Sequence, residues 1–156
     1  MAQPRGGGHE LVFLLIGTFR SIIDELHEHL VQEGFADTRP MHGFVLQAIG
    51  ADAVTITELG KRLGVSKQAA AKTVTQLETQ GLVNREPNPA DARASNIRRS
   101  ARGEALLQAS AAFFDRQEEG WIASLGEEQY ESLLSALAEI GGSGNIGDFV
   151  GWLQSR

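Results

Sequence analysis

The sequence predicts a mainly α-helical fold that carries one small β-hairpin. Three observations predict it. Apolar residues recur at helical spacing through most of the 156 residues. Two of the helical blocks are joined by a tight Gly64-Val-Ser66 turn, which is the helix-turn-helix arrangement. A pair of short strand-like runs with several arginines follows the second block at once, adding a wing to the two helices. Residues 1–8 read as a flexible lead-in and 9–156 as a single domain. Within it, a winged helix-turn-helix lobe over 41–103 lies between helices at 9–33 and 104–156, which are expected to form a dimerisation base.

The elements follow in order. From His9 to Glu33 a long helix bears an apolar stripe of Val12, Leu15, Ile16, Phe19, Ile22, Ile23, Leu26 and Leu30. Leu11, Phe13 and Leu14 make its first half apolar on nearly every side, and a second subunit is the natural cover. The competing reading is a monomer with an unusually apolar core. Gly34 to Pro40 breaks the pattern, Met41 to Ile49 is a shorter helix, and Gly50 to Val54 is a connection. A short helix then ends at Gly64, a residue able to take positive φ, and Ser66 caps the next helix, which stops at Gly81. Leu82 to Glu86 and Asn96 to Ser100 read as strands, with Pro87 to Ser95 as the loop between them. A long helix runs from Gly103 to about Ser124. Another begins at Gly126, with Tyr130, Leu133, Leu134, Leu137 and Ile140 at helical spacing. A last short docking helix carries Ile146, Phe149, Val150 and Leu153.

The helix after Ser66 divides by its period into two faces. Ala70, Val74 and Leu77 turn inward onto Leu59 and Leu63, while Lys67, Gln68, Ala71, Lys72 and Thr75 turn outward. Such an outer face can approach a DNA major groove. Gln68 can pair with adenine, the Ala71 methyl can touch thymine, and the lysines can meet phosphate or guanine. Ser66, besides capping, offers a hydroxyl to phosphate. In the wing, Arg85, Arg93, Arg98 and Arg99 are suited to a narrow minor groove. Arg93 and Arg98 are the expected wing contacts, and Asp91 is expected to hold the loop in shape. The competing reading of the helix is an ordinary solvated amphipathic surface, and of Asp91 a weak surface ion pair.

Composition sets further bounds. With 42% hydrophobic and 22% charged residues the chain is globular, and without cysteine it has no disulfide, thiolate zinc site or thiol redox switch. The longest apolar run, Leu11 to Ile16, is too short to span a membrane, and no leader is evident, so a cytoplasmic location is expected. A net charge of −6 alone argues against nucleic acid. Its distribution reverses that. Thr55 to Gly103 holds nine Lys/Arg against four Asp/Glu, and the rest of the chain five against sixteen. One surface therefore attracts phosphate while the other repels it.

These residues resemble the MarR family of winged-helix transcriptional regulators. The resemblance rests on Leu59-Gly-Lys-Arg-Leu-Gly-Val-Ser66, Lys72-Thr-Val-Thr-Gln-Leu-Glu78, Gly81-Leu-Val83, and Asn88-Pro-Ala-Asp-Ala-Arg93 through Ser100-Ala-Arg-Gly103. Lys72 stands where members carry Arg, Asp91 and Arg93 reproduce an Asp-x-Arg in the wing, Ala92 replaces a frequent second Arg, and Arg99 replaces an aliphatic residue. The resemblance implies a homodimer reading a palindromic operator in double-stranded DNA, usually as a repressor. It also implies release by a small lipophilic or aromatic effector bound between base and lobe. Lack of cysteine sets the chain apart from peroxide-sensing members.

Other sites are thinly supported. His27 and His29, two apart on a helix, face different directions, and no His-x3-His pair exists, so no metal or cofactor is expected. Arg20 and His42 are the candidate effector contacts, each able to meet a carboxylate. For Arg20 the rival role is an i,i+4 pair with Asp24. No phosphate-binding Gly loop or nucleophile elbow is present, so catalysis is not expected. The alternative function from another class is a winged-helix protein-interaction module that never binds DNA.

Overall fold

The computed structural model describes residues 8–141. Residues 1–7 of the lead-in and the whole of the expected terminal docking helix lie outside the described residues. The elements are α1 (Glu10–Gln32), α2 (Pro40–Ile49), β1 (Val54–Thr55), α3 (Ile56–Leu63), α4 (Lys67–Thr79), β2 (Val83–Asn88), β3 (Asp91–Arg99), α5 (Ala101–Leu125) and α6 (Glu127–Gly141). The three strands form one antiparallel sheet in the order β1-β3-β2.

Local chemistry fixes the ends of α3 and α4. Thr55 caps α3 by accepting the Glu58 N–H at 3.1 Å, and Ser66 caps α4 by accepting the Ala69 N–H at 3.1 Å. Between them Gly64 sits at φ 64°, ψ 29°, in the left-handed region that closes α3. The next helix start is built likewise: Ser100 accepts the Gly103 N–H at 3.0 Å and donates to the Gly81 carbonyl at 2.5 Å. Ser100 is therefore the N-cap of α5 and not the end of a strand.

One apolar core joins the lobe to its base. Leu59 and Leu63 of α3 and Val74 and Leu77 of α4 are fully buried, together with Leu46 and Ile49 of α2, Ile97 of β3 and Leu106 of α5. From α1 Leu26 and Leu30 are buried in this core, and Ile22 packs against it half-buried. The predicted stripe on α1 thus splits. Its C-terminal half packs on α5, where Glu25 accepts from Gln117 at 2.7 Å and His29 stacks on Phe113 at 5.7 Å. In its N-terminal half Leu11, Val12, Phe13, Leu14, Leu15 and Ile16 are all exposed, Phe13 by 65%.

The hairpin corrects two expectations. The stretch expected to be a loop over 87–95 is mostly strand, because β2 continues to Asn88 and β3 starts at Asp91. Pro87 is tolerated because β2 is the edge strand, where a missing N–H costs no ladder bond. The register shifts between Pro87 and Asn88, so the extra residues of β3 bulge at the tip. The connection expected over 50–54 runs into β1, whose two residues, Val54 and Thr55, pair with Ile97 and Asn96.

Candidate nucleic-acid interface

Helix α4 buries Ala70, Val74 and Leu77 and turns its other side to solvent. Ser66, Lys67, Gln68, Lys72 and Thr75 are exposed and Ala71 is half-buried between them. The Thr75 hydroxyl donates to the Ala71 carbonyl at 3.0 Å, which leaves only its lone pairs outward. The exposed face is long, polar and free of carboxylates until Glu78.

The wing tip is held by two side chains that fold back on the backbone. Asn88 Oδ1 accepts the Ala90 N–H and Asp91 Oδ1 accepts the Arg93 N–H, each at 2.9 Å. Asp91 acts on the loop through this backbone bond. A cleft of about 450 Å³ opens between wing and helices, lined among others by Thr55, Thr57, Lys67, Arg85, Asp91 and Arg93. It brings Lys67, from the first turn of α4, together with two wing arginines. Thr55 and Thr57 were not anticipated, since their place in the cleft depends on β1 pairing at long range.

The arginines sort into two kinds. Arg99 is only 15% exposed on its side chain, donates to the Gly50 carbonyl and pairs with Glu104 at 3.3 Å, so it ties the α2 end to α5. Arg102 pairs with Asp37 at 2.7 Å, Arg62 with Glu58 at 3.5 Å, and Arg85 with Glu78 at 3.3 Å. Arg98 is exposed and reaches the Ala51 carbonyl at 3.5 Å, away from the cleft lining. Among the described residues Lys67, Lys72 and Arg93 form no salt bridge. The exposed α4 face and the wing tip therefore each carry cations that no carboxylate compensates.

The two effector candidates part company. Arg20 stands on the open side of α1, its side chain 82% exposed and paired with Asp24 at 3.6 Å. His42 is buried at the start of α2, where its Nδ1 accepts the Arg39 N–H at 3.1 Å. Burial, and then the nearby Arg39 charge, hold its pKa below the usual imidazole value, partly opposed by Asp37. His42 lines a second cleft, of about 420 Å³, with Asp37, Arg39, Thr75, Thr79 and Gln80.

Residues 36–94, which span α2 to the wing, match the model of the MarR family. The chain carries the MarR-family winged-helix fold. Members of the MarR family are transcription regulators and not enzymes. Solved MarR-fold structures agree over nearly the whole described chain. Streptococcus pneumoniae FabT in complex with DNA is 20% identical with a TM-score of 0.74, covering 85% of this chain and 93% of that one. The S. aureus MepR–DNA complex is 23% identical with a TM-score of 0.63, covering 82% and 93%. The PcaV regulator from Streptomyces coelicolor, in complex with its natural ligand, is 18% identical with a TM-score of 0.61, covering 92% and 99%. Among the described residues no helix is long and apolar enough to cross a membrane.

Proposed function

We propose that this chain is a sequence-specific transcriptional regulator that binds a palindromic operator as a homodimer, acts as a repressor in the cytoplasm, and is released by a small ligand. The observation that carries this reading is the row of uncompensated cations, Lys67 and Lys72 on the exposed face of α4 and Arg93 at the wing tip, on an otherwise acidic chain. In it Lys67, Gln68, Ala71, Lys72 and Thr75 enter the major groove, Ser66 meets phosphate, and Arg93, with Arg98 further along β3, serves the wing. The similarity to FabT and MepR, both solved with DNA, supports the same use of α4. The exposed apolar half of α1 supports a dimer, which sets two α4 helices about one duplex turn apart, ~34–36 Å. PcaV, solved with its natural ligand, supports an effector, and His42 in its cleft is the better placed of the two candidate contacts.

The test is affinity for selected and random duplexes across a salt series. The parent protein should lose affinity steeply with salt, and Arg93→Ala should flatten the slope by ~0.9 on every sequence. Gln68→Ala should cost about 1–3 kcal/mol on the selected duplex alone. A flat salt response of the parent would favour the protein-interaction module instead. Equal losses for Gln68→Ala on both duplexes would remove Gln68 as a reader.

A further inference from the structure

Lysine and arginine are divided by place in this chain. Its three lysines, Lys61, Lys67 and Lys72, all lie on α3 and α4, are exposed, and form no salt bridge among the described residues. The cations that do pair with carboxylates there are all arginines. The two side chains also differ in chemistry. A guanidinium stays protonated in water, whereas a lysine amine has a neutral form that is a nucleophile. Chemistry confined to side-chain amines therefore meets the winged lobe and no other part of the protein.

Lys67 differs from the other two in its surroundings. It is the lysine that lines the cleft of about 450 Å³ between wing and helices, together with Thr55, Thr57, Arg85, Asp91 and Arg93. Three cations there face one carboxylate, and Asp91 already accepts the Arg93 N–H through Oδ1 at 2.9 Å. Glu78 engages Arg85 at Nε, 3.3 Å away, so the two terminal nitrogens of that guanidinium remain for the cleft. The Thr55 oxygen accepts the Glu58 N–H at 3.1 Å, which leaves its hydroxyl proton to donate. The cleft thus offers a phosphate group guanidinium and hydroxyl donors, with a primary amine in the same lining. A duplex phosphate satisfies those donors and leaves the amine a plain cation. An acyl phosphate satisfies them too, and it brings an electrophilic carbon to the amine.

We propose that Lys67 is a modification site, acylated at Nζ by a small acyl phosphate that this cleft holds. Arg85 and Arg93 bind the phosphate group, and the Thr55 hydroxyl donates to it. The neutral Lys67 amine adds its lone pair to the acyl carbon. The C–N bond forms, the C–O bond to phosphate breaks, and phosphate leaves with that electron pair. The amine proton passes to water. An amide then stands where a cation stood, so the exposed face of α4 has lost one of its charges. The consequence for duplex binding rests on the regulator reading above, while the acylation itself does not.

The test is a time course of the whole chain with acetyl phosphate and, separately, with acetic anhydride, read at each lysine by peptide mass spectrometry. Acetyl phosphate should acetylate Lys67 about tenfold faster than Lys61 or Lys72, the worth of one charge-assisted hydrogen bond to the donor. The anhydride carries no phosphate and should show no such preference. Excess inorganic phosphate should slow Lys67 alone, and Arg93→Met should bring its rate down to that of Lys72. The same site ratio with both donors overturns the proposal, since intrinsic amine reactivity would then suffice. An undiminished preference in Arg93→Met overturns it as well. Once Lys67 is mostly acetylated, the duplex salt slope of the parent should fall by ~0.9 from its untreated value. Lys67→Arg keeps a cation without an acylable amine, so the same treatment should leave its slope where it was. An unchanged slope in the acetylated parent would overturn the regulatory consequence. Preference for Lys67 in a protein that binds no duplex keeps this site and discards the regulator; duplex binding with equal rates at the three lysines does the reverse.

Discussion

The winged lobe and the first half of α1 obey different rules within the same chain. In the lobe Leu59, Leu63, Val74 and Leu77 of α3 and α4 are buried by their own polypeptide, and Thr55, Ser66 and Ser100 cap the starts of α3, α4 and α5. In α1 the six residues from Leu11 to Ile16 are exposed, and the N-cap His9 makes no side-chain cap bond. The lobe is complete as a monomer. The α1 segment presents a surface whose burial must come from outside the described chain, since a contiguous apolar patch in water is a standing cost. The difference separates what folds from what assembles, and it predicts that substitutions in the two regions fail in different ways.

The largest effect should come from charging the uncovered segment. Leu14 is 62% exposed in the single chain, so Leu14→Glu should leave its fold intact yet weaken self-association by about thirtyfold or more, as loss of a buried anchor does. Sedimentation across a dilution series would read this, and an unchanged mass with unchanged melting would break the contrast. Next is Gly103→Ala, which acts inside the complete region. A Cβ there would lie 2.1 Å from the Leu82 carbonyl oxygen, a backbone atom with no room to yield. The expected loss is at least the ~1–3 kcal/mol of ordinary overpacking, seen as a lower melting temperature at every protein concentration. A concentration-dependent loss would place Gly103 in assembly instead. Ser66→Ala should cost about 1 kcal/mol by removing the bond to the Ala69 N–H.

What could be read from the sequence follows the same division. The turn from Gly64 to Ser66 was legible because its signals are local: one positive-φ glycine and one capping hydroxyl. The faces of α4 were legible because a 3.6 period sorts Val74 and Leu77 from Lys67 and Lys72 without reference to other elements. Features set by distant partners were not. Two-residue β1 exists only by pairing with Asn96 and Ile97, and Pro87 reads as a loop signal until β2 is known to be an edge. Arg99 looked like one more wing cation, yet its partners, the Gly50 carbonyl and Glu104, hold it inward. The cleft at Arg39 and His42 has no sequence motif, because the start of α2 meets Thr75 of α4, 33 positions on from His42, only after packing.

The smallest effect concerns His42, which joins the α2 start to that packing, and its sign can be worked out. The folded chain holds this imidazole below its ordinary pKa of about 6.5, mainly by burial. An unfolded chain therefore binds a proton here at a pH where the folded chain does not, and stability must rise with pH across that window. The contribution is fully present above about pH 6.5 and is lost as pH falls from there through the folded value. His42→Asn removes the titration while Asn Oδ1 can still accept the Arg39 N–H. Between about pH 7.5 and about pH 5.5 the parent should therefore lose more melting temperature than the variant. Equal losses would mean that the ring is as free to charge in the folded lobe as in the unfolded chain, contrary to its burial. A loss confined to dilute samples would instead trace the pH response to assembly through α1, the region that the lobe does not need in order to fold.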